Sequence, residues 1–237
     1  MCVTIPKTIH MCWIPHGNYP QMVKSCIETW KEQLPDYRIV QWDESTFDIN
    51  RIAYTREAYE EKKYAFVSDY IRLYALYNFG GIYLDTDVEV FKSFDDLLMQ
   101  KGFIGFESKH RLGTCLIASV KRNPLILEML KQYEDRHFVL ENGKLDTTPN
   151  PVLITECLKR HGLDMTEVDK VQKLEEMTVY PMEYFCPSNP YRSERNCFTN
   201  NTYSNHLYGG TWLSGIDKVK TTVLKHLPNT VLRVIGK

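Results

Sequence analysis

The 237-residue sequence lacks the marks of several large classes of protein. Its charges nearly cancel, with 29 lysines and arginines against 30 aspartates and glutamates, so it has no basic excess of the kind typical of nucleic-acid binders. No stretch approaches the ~18 apolar residues of a membrane span, and the N-terminus lacks the basic segment and apolar run of a signal peptide. We therefore expect a cytoplasmic protein that binds no nucleic acid.

Cysteine is present, but not in the arrangement of a disulfide scaffold or a zinc site. The seven cysteines are an odd number, and no two of them form a Cys-x-x-Cys pair. Reduced thiols are the simplest interpretation. A chain of this length can bury a large core without a disulfide or a structural metal.

The hydrophobic pattern predicts an α/β fold. A buried strand at residues 8–14 is followed by an amphipathic helix and by a second strand at Arg38–Trp42. This β-α-β order indicates a parallel sheet with helices on its faces. We also expect a long apolar helix over residues 56–79, which Gly80-Gly81 ends.

The later part of the chain gives weaker signals, and no internal repeat or linker divides it. We expect strands near 103–107 and 114–119, and helices near 123–134, 151–160 and 216–227. Residues 177–212 are rich in Pro, Asn, Tyr and Ser, which favours irregular structure there.

An Asp-x-Asp motif lies in the segment 82–90, which we interpret as one continuous strand. Alternation then places Asp85 and Asp87 on the same face, about 6.6 Å apart at ~3.3 Å per residue. Two carboxylates at this short distance repel each other unless a cation lies beside them. Oxygen ligands suit Mg²⁺ or Mn²⁺. The tripeptide alone leaves a solvated pair at a strand end open as the alternative.

Asp69 and Arg72 are charged residues three positions apart on a helix otherwise too apolar to be a solvated surface. A buried charge is costly unless it is paired or used. The two residues therefore form either an internal ion pair that locks the helix, or a pair that binds sugar hydroxyl groups.

Two further residue types fit such a site. His206 can complete a carboxylate metal site through a neutral imidazole, although a lone histidine more often lies at the surface or in the core. Trp13, at the end of the first strand, can stack on a base or fill the core.

Together these segments resemble glycosyltransferase family 32, and they also look like the catalytic domain of the large clostridial glucosylating toxins. The resemblance runs over residues 5–13 and 63–72, and over the Gly80-Gly81-Ile-Tyr-Leu-Asp85-Thr-Asp87 block. It ends with His206 and Trp212.

The resemblance implies a GT-A type, Rossmann-like single domain over residues 1–237, with a mostly parallel central sheet flanked by helices. The nucleotide-binding part would be about 1–110 and the acceptor-side part about 111–237. The implied activity is a metal-dependent, retaining transfer of a hexose from a UDP- or GDP-sugar to a saccharide hydroxyl. The acceptor would be a glycan or a lipid-linked saccharide, in bacterial capsular or surface polysaccharide synthesis.

The resemblance also implies roles for individual residues. The metal, Mn²⁺ or Mg²⁺, would be bound by Asp85, Asp87 and His206, and the catalytic residues would be Asp69, Arg72, Asp85 and Asp87. The donor would be bound by Trp13, Asp69, Arg72, Gly81, Asp85 and Trp212. One segment, Leu112-Gly113-Thr114-Cys115, departs from the Asn-x-Gly type segment of many family members, so sugar and acceptor contacts there stay open.

Two other functions compete with this one. A haloacid-dehalogenase-like phosphatase also carries an apolar strand followed by Asp-x-Asp, and Asp85 would then be the nucleophile. A carbohydrate-binding module would need neither metal nor nucleotide.

At the C-terminus, basic residues alternate with apolar ones from Lys218 to Arg233. They fit a helix packed on the domain, or a peripheral contact with the inner face of a membrane.

Overall fold

The computed structural model describes residues 4–190 and 196–210. Its strands are β1 (Thr8–Cys12), β2 (Arg38–Trp42), β3 (Gly81–Leu84), β4 (Val88–Val90), β5 (Gly102–Ser108), β6 (Arg111–Ser119), β7 (Gln172–Lys173), β8 (Thr178–Tyr180) and β9 (Ser204–His206). Its α-helices are α1 (Gln21–Gln33), α2 (Ala53–Glu60), α3 (Tyr64–Phe79), α4 (Pro124–Lys131), α5 (Asn150–Arg160) and α6 (Met182–Phe185).

A seven-stranded sheet in the order β2-β1-β3-β6-β5-β8-β7 forms the centre of the molecule. Strands β1, β2, β3, β5 and β8 share one direction, and β6 and β7 run against them. The predicted α/β fold with a mostly parallel sheet is thus confirmed. The first β-α-β unit is formed by β1, α1 and β2, and β1 also pairs in parallel with β3.

Apolar side chains cover both faces of the sheet. On one face, Tyr83 of β3 belongs to a cluster with residues of α3, α4 and α5. On the other, its neighbours Ile82 and Leu84 belong to a cluster with residues of α1. Successive strand residues point to opposite faces, so helices pack on both sides and leave the strand ends as the place for a site.

The helix predicted over residues 56–79 is in fact two helices. Helix α2 ends at Glu60 and α3 begins at Tyr64, with Lys62 between them in the left-handed region at φ 57°. Four charged residues, 60–63, occupy this junction, so it has no apolar face to bury. The apolar second half of the predicted helix is α3, and Gly80, at φ 68°, follows it as predicted.

The prediction of one strand over residues 82–90 was wrong. Strand β3 stops at Leu84 in the large sheet, whereas β4 pairs with β9 in a separate two-stranded sheet. Between them the amide of Val88 donates to the carbonyl of Asp85 at 3.1 Å and closes a turn. Aspartates favour turns because their side chains bond nearby backbone groups, and here that preference overrides the strand pattern.

The predicted strands and helices between residues 102 and 160 are present as β5, β6, α4 and α5. Asn123 caps α4 by accepting from the amide of Leu125, which explains the helix start before Pro124. In its described residues, the segment expected to be irregular contains three short elements, β8, α6 and β9. The helix predicted at 216–227 lies outside the described residues, within which no helix is long and apolar enough to span a bilayer.

Candidate functional site

The turn after β3 brings Asp85, Asp87 and His206 together. Asp85 directly follows β3, and its amide donates to the carbonyl of Cys115 on β6 at 2.8 Å. Beyond the turn, Val88 of β4 is the antiparallel partner of His206 on β9. A histidine more than a hundred residues away in sequence therefore lies beside the second aspartate.

One ligand atom from each of Asp85, Asp87 and His206 lies within 4.8 Å of the others. Nε2 of His206 is 3.2 Å from Oδ1 of Asp87, and the amide of Gly209 donates to Oδ2 of Asp87 at 2.8 Å. Two carboxylates and an imidazole are a donor set that suits Mn²⁺. Within the described part of the chain, the buried Nδ1 atom of His206 has no hydrogen-bond partner. These residues fit a divalent cation.

Asp87 and His206 each favour the charged form of the other. Burial opposes ionisation of Asp87, but the charge and hydrogen bond of His206 and the amide of Gly209 lower the pKa of Asp87 to about 2. Burial favours the neutral imidazole, yet the carboxylate of Asp87 raises the pKa of His206 well above its ordinary value. Asp87 is thus ionised over the whole physiological range.

Helix α3 contributes a second set of charges. Asp69 and Arg72 share a face of α3, and NH2 of Arg72 lies 3.0 Å from Oδ1 of Asp69 and 3.4 Å from Oδ1 of Asp85. NH1 of Arg72 donates to the carbonyl of Thr114 at 2.7 Å, and its guanidinium lies 4.7 Å from the centre of the Tyr83 ring. The Arg72 side chain is held on several sides before any ligand arrives.

Burial affects the two charges of α3 differently. Burial raises the pKa of Asp69 to about 7, against the lowering effect of the Arg72 charge. For Arg72 burial acts in the lowering direction, but the carboxylates of Asp85 and Asp69 outweigh it and raise the pKa further. Arg72 is therefore a permanent cation in the interior.

One cavity of about 460 Å³ connects these groups. Asp85 and Asp87 from the turn, Asp69 and Arg72 from α3, and His206 from β9 all line it. The predicted separate motifs thus converge on one pocket at the end of β3. Trp13, just after β1, lines the same pocket, with its ring edge-on to Tyr19 at a centroid distance of 5.2 Å.

One of the predicted donor-binding residues lies away from the pocket, and another is not described by the structure. Trp212 lies outside the described residues. Gly81 is at the opposite end of β3 from Asp85, and it is not among the pocket residues. Its φ is 116°, and a Cβ there would lie 2.5 Å from the carbonyl oxygen of Thr8, so close packing against β1 accounts for the glycine.

Several pocket residues were not found from the sequence. Tyr83 donates to Oδ1 of Asp85 at 3.0 Å, and strand alternation is the signal that could have identified it. Thr114 acts through its main-chain carbonyl, which no side-chain pattern reveals. Arg111, on another part of the wall, was also missed; its Nε donates to Oε1 of Glu107 at 2.5 Å across the β5–β6 hairpin.

A second group of possible ligands, Glu128, Cys157 and His161, lies between α4 and α5. His161 and Glu128 are paired at 2.6 Å, and NH2 of Arg160 binds the same carboxylate at 2.9 Å. Because a guanidinium already neutralises Glu128, we assign no metal role to this group.

Comparison with known proteins agrees with the site. The family described as "Glycosyltransferase sugar-binding region containing DXD motif" matches residues 20–104, which include both aspartates of the turn. The chain is 30% identical to "Inositol phosphoceramide mannosyltransferase 3" of Schizosaccharomyces pombe, over 54% of this chain and 36% of that protein. It is 26% identical to "Lactosylceramide 4-alpha-galactosyltransferase" of Mus musculus, over 74% and 51% respectively.

Among solved structures, "PaToxG Glycosyltransferase" has a similar fold, with a TM-score of 0.53 and 24% identity over 69% of this chain and 72% of that one. The matched region spans only about a third to a half of the two curated relatives. The family resemblance inferred from the sequence is nevertheless confirmed. Residues 20–104 of this chain match the glycosyltransferases whose sugar-binding region contains the DXD motif, a family of the glycosyltransferase family 32 type.

Proposed function

We propose that the pocket binds a nucleotide diphosphate sugar together with Mn²⁺ and transfers the sugar to a hydroxyl group with retention of configuration. The observation that carries this proposal is the convergence of Asp85, Asp87, His206 and Arg72 on one cavity. The first three would hold the cation. Arg72 faces the same space with a permanent positive charge, as binding of a diphosphate requires.

In the proposed reaction, the acceptor hydroxyl attacks the anomeric carbon from the side on which the diphosphate leaves. The bond to the diphosphate breaks, and a diphosphate oxygen takes the proton of the hydroxyl. A bound divalent cation supplies Lewis-acid stabilisation of the leaving diphosphate. Arg72 adds a fixed donor aimed at the same developing charge, and its bonds to Thr114 and Asp69 hold it in place.

No protein nucleophile is required by this scheme. Glu107 lines the pocket and is the candidate for a nucleophile, but Arg111 binds its carboxylate at 2.5 Å. A carboxylate in an ion pair is a weak nucleophile, so we assign Glu107 to charge balance. Asp69, beside Arg72, is placed to accept hydrogen bonds from sugar hydroxyls.

The donor is a UDP- or GDP-sugar, and the acceptor is a glycan or a lipid-linked saccharide. The two curated relatives are named for a mannosyl and a galactosyl transfer, and both names contain a ceramide lipid, which supports a lipid-linked acceptor. Transfer in bacterial capsular polysaccharide synthesis, the cytoplasmic location and the division near residue 110 stay predictions.

A screen of UDP- and GDP-sugars for hydrolysis with Mn²⁺ tests the proposal. We expect one donor to be cleaved to a free sugar and a nucleoside diphosphate, and EDTA to abolish the cleavage. Hydrolysis of a generic phosphomonoester instead would support the phosphatase alternative with Asp85 as nucleophile. Glycan binding without any nucleotide binding would support the carbohydrate-binding module.

A further inference from the structure

Two buried thiols lie in contact beside the pocket. Cys115 is on β6 and Cys186 follows α6, and their Sγ atoms are 3.2 Å apart. Their exposed fractions are 3% and 1%. Among the described cysteines, no other two sulfur atoms are in contact.

The cysteine pair lies between the strand beside Asp85 and the segment that leads to His206. The carbonyl of Cys115 accepts from the amide of Asp85, and Cys115 lines the pocket. Two residues before Cys186, the carbonyl of Tyr184 accepts from the amide of Tyr203 at 2.8 Å. Tyr203 directly precedes β9, the strand that carries His206. The two sulfurs thus join the strand beside Asp85 to the segment beside His206.

Local packing leaves room for this contact. A Cβ at Gly113 would lie 3.3 Å from Sγ of Cys186 and 3.0 Å from Cβ of Glu107. A larger residue there would press on the second sulfur. The glycine therefore allows Cys186 to approach β6 closely.

We propose that Cys115 and Cys186 are a reversible oxidation site, at which a hydroperoxide converts the two thiols to an intramolecular disulfide. Cys115 lines the pocket; its sulfur attacks the hydroperoxide, the O–O bond breaks, the thiol proton passes to the leaving oxygen, and a sulfenic acid and an alcohol or water are formed. The sulfur of Cys186 then attacks the sulfenic sulfur, the S–O bond breaks and water leaves. The two thiols lose two electrons and two protons, and the hydroperoxide accepts both.

The disulfide covalently ties β6 to the chain between α6 and β9. Oxidation therefore modifies the wall of the pocket next to Asp85, and a dithiol reductant restores it by exchange. This inference rests on the sulfur geometry and is independent of the proposed donor and reaction.

The test is treatment of the folded protein with hydrogen peroxide, followed by unfolding in the presence of an alkylating reagent and peptide mass spectrometry without reduction. We expect two fewer free thiols than the seven of the sequence, a cross-link between the peptides of Cys115 and Cys186, and full recovery with dithiothreitol. Cys115→Ser and Cys186→Ser should each abolish the cross-link, and Cys157→Ser, at another buried cysteine, should preserve it.

Three results would overturn the inference. They are loss of thiols without this cross-link, a cross-link to Cys12 or Cys197 in its place, and irreversible oxidation of Cys115 to a sulfinic acid. The wild-type protein alone gives the answer, so a serine variant that fails to fold does not affect the test.

Discussion

The pocket has two charged walls that are built differently. On the α3 wall, Asp69 and Asp85 share the buried guanidinium of Arg72, at 3.0 and 3.4 Å. On the turn wall, Asp87 lies 3.2 Å from the imidazole of His206 and accepts from the amide of Gly209, and a two-stranded sheet connects the turn to His206. Asp85 belongs to both walls; the α3 wall contributes a guanidinium that is always charged, and the turn wall contributes an imidazole that can lose its proton.

Because of this difference, we expect the two walls to contribute differently to stability and to activity. A buried ion pair that loses one partner destabilises the fold, because the other charge stays buried. Removal of the charge of Asp87 costs less, because its partner His206 can lose its proton and stay in place as a neutral ring. We therefore expect changes on the α3 wall to affect both stability and activity, and changes on the turn wall to affect activity more than stability.

The largest expected effect is on the α3 wall. Arg72→Ala should lower the free energy of unfolding by about 3–5 kcal/mol, because Asp69 is left buried without its partner. Urea unfolding followed by circular dichroism measures this. Arg56→Ala, at a half-exposed arginine 3.7 Å from Glu57, is the control and should change stability by less than about 0.5 kcal/mol. Equal stability of Arg72→Ala and wild type would show that Arg72 is not a structural charge.

On the turn wall, Asp87→Asn should reduce Mn²⁺-dependent cleavage of the donor by about 100-fold or more, equivalent to about 3 kcal/mol. The thermal midpoint should stay within a few degrees of wild type, since the amide can still accept from Gly209. Glu89→Gln, two residues further on β4, is the matched control. Near-normal cleavage by Asp87→Asn would remove Asp87 from the metal site.

A smaller effect is expected where β3, which ends at the turn, packs against β1. Gly81→Ala should destabilise the fold by about 2–3 kcal/mol, because its φ is 116° and the added Cβ meets the Thr8 carbonyl at 2.5 Å. Gly162→Ala also has a positive φ, 93°, but open space around it, so it should cost only about 1 kcal/mol. If both substitutions lower the free energy of unfolding in urea by the same amount, the close packing at Gly81 does not contribute to stability.

The smallest effect is expected at Trp13, at the edge of the pocket. Trp13→Ala should weaken nucleoside diphosphate binding in Mn²⁺ by about 3–10-fold, with Trp13→Phe in between, because aromatic contacts contribute about 0.5–1.5 kcal/mol. Isothermal titration calorimetry measures the affinity. An unchanged affinity in Trp13→Ala would place the base elsewhere in the pocket.

The sequence predicted much of this arrangement, but for identifiable reasons it did not predict all of it. The periodicity of apolar residues gave β1, β2, α1 and the helical face that Asp69 shares with Arg72. The turn at Asp85 was missed because apolar and polar residues alternate from Ile82 to Val90 as they do in a strand. The strand is interrupted because β4 pairs with β9, which lies far away in the sequence. Thr114 was missed because it acts through its carbonyl, and long-range main-chain contacts leave no mark in the sequence.

Central to the proposed function is a divalent cation that the turn wall would hold and on which a nucleoside diphosphate would bind. Calorimetric titration of UDP and GDP into wild type and Asp87→Asn, each in Mn²⁺ and in EDTA, tests it directly. We predict that one nucleotide binds wild type at least about 10-fold more tightly in Mn²⁺ than in EDTA, and that Asp87→Asn loses this difference. Equal affinities of wild type in Mn²⁺ and EDTA would contradict the account.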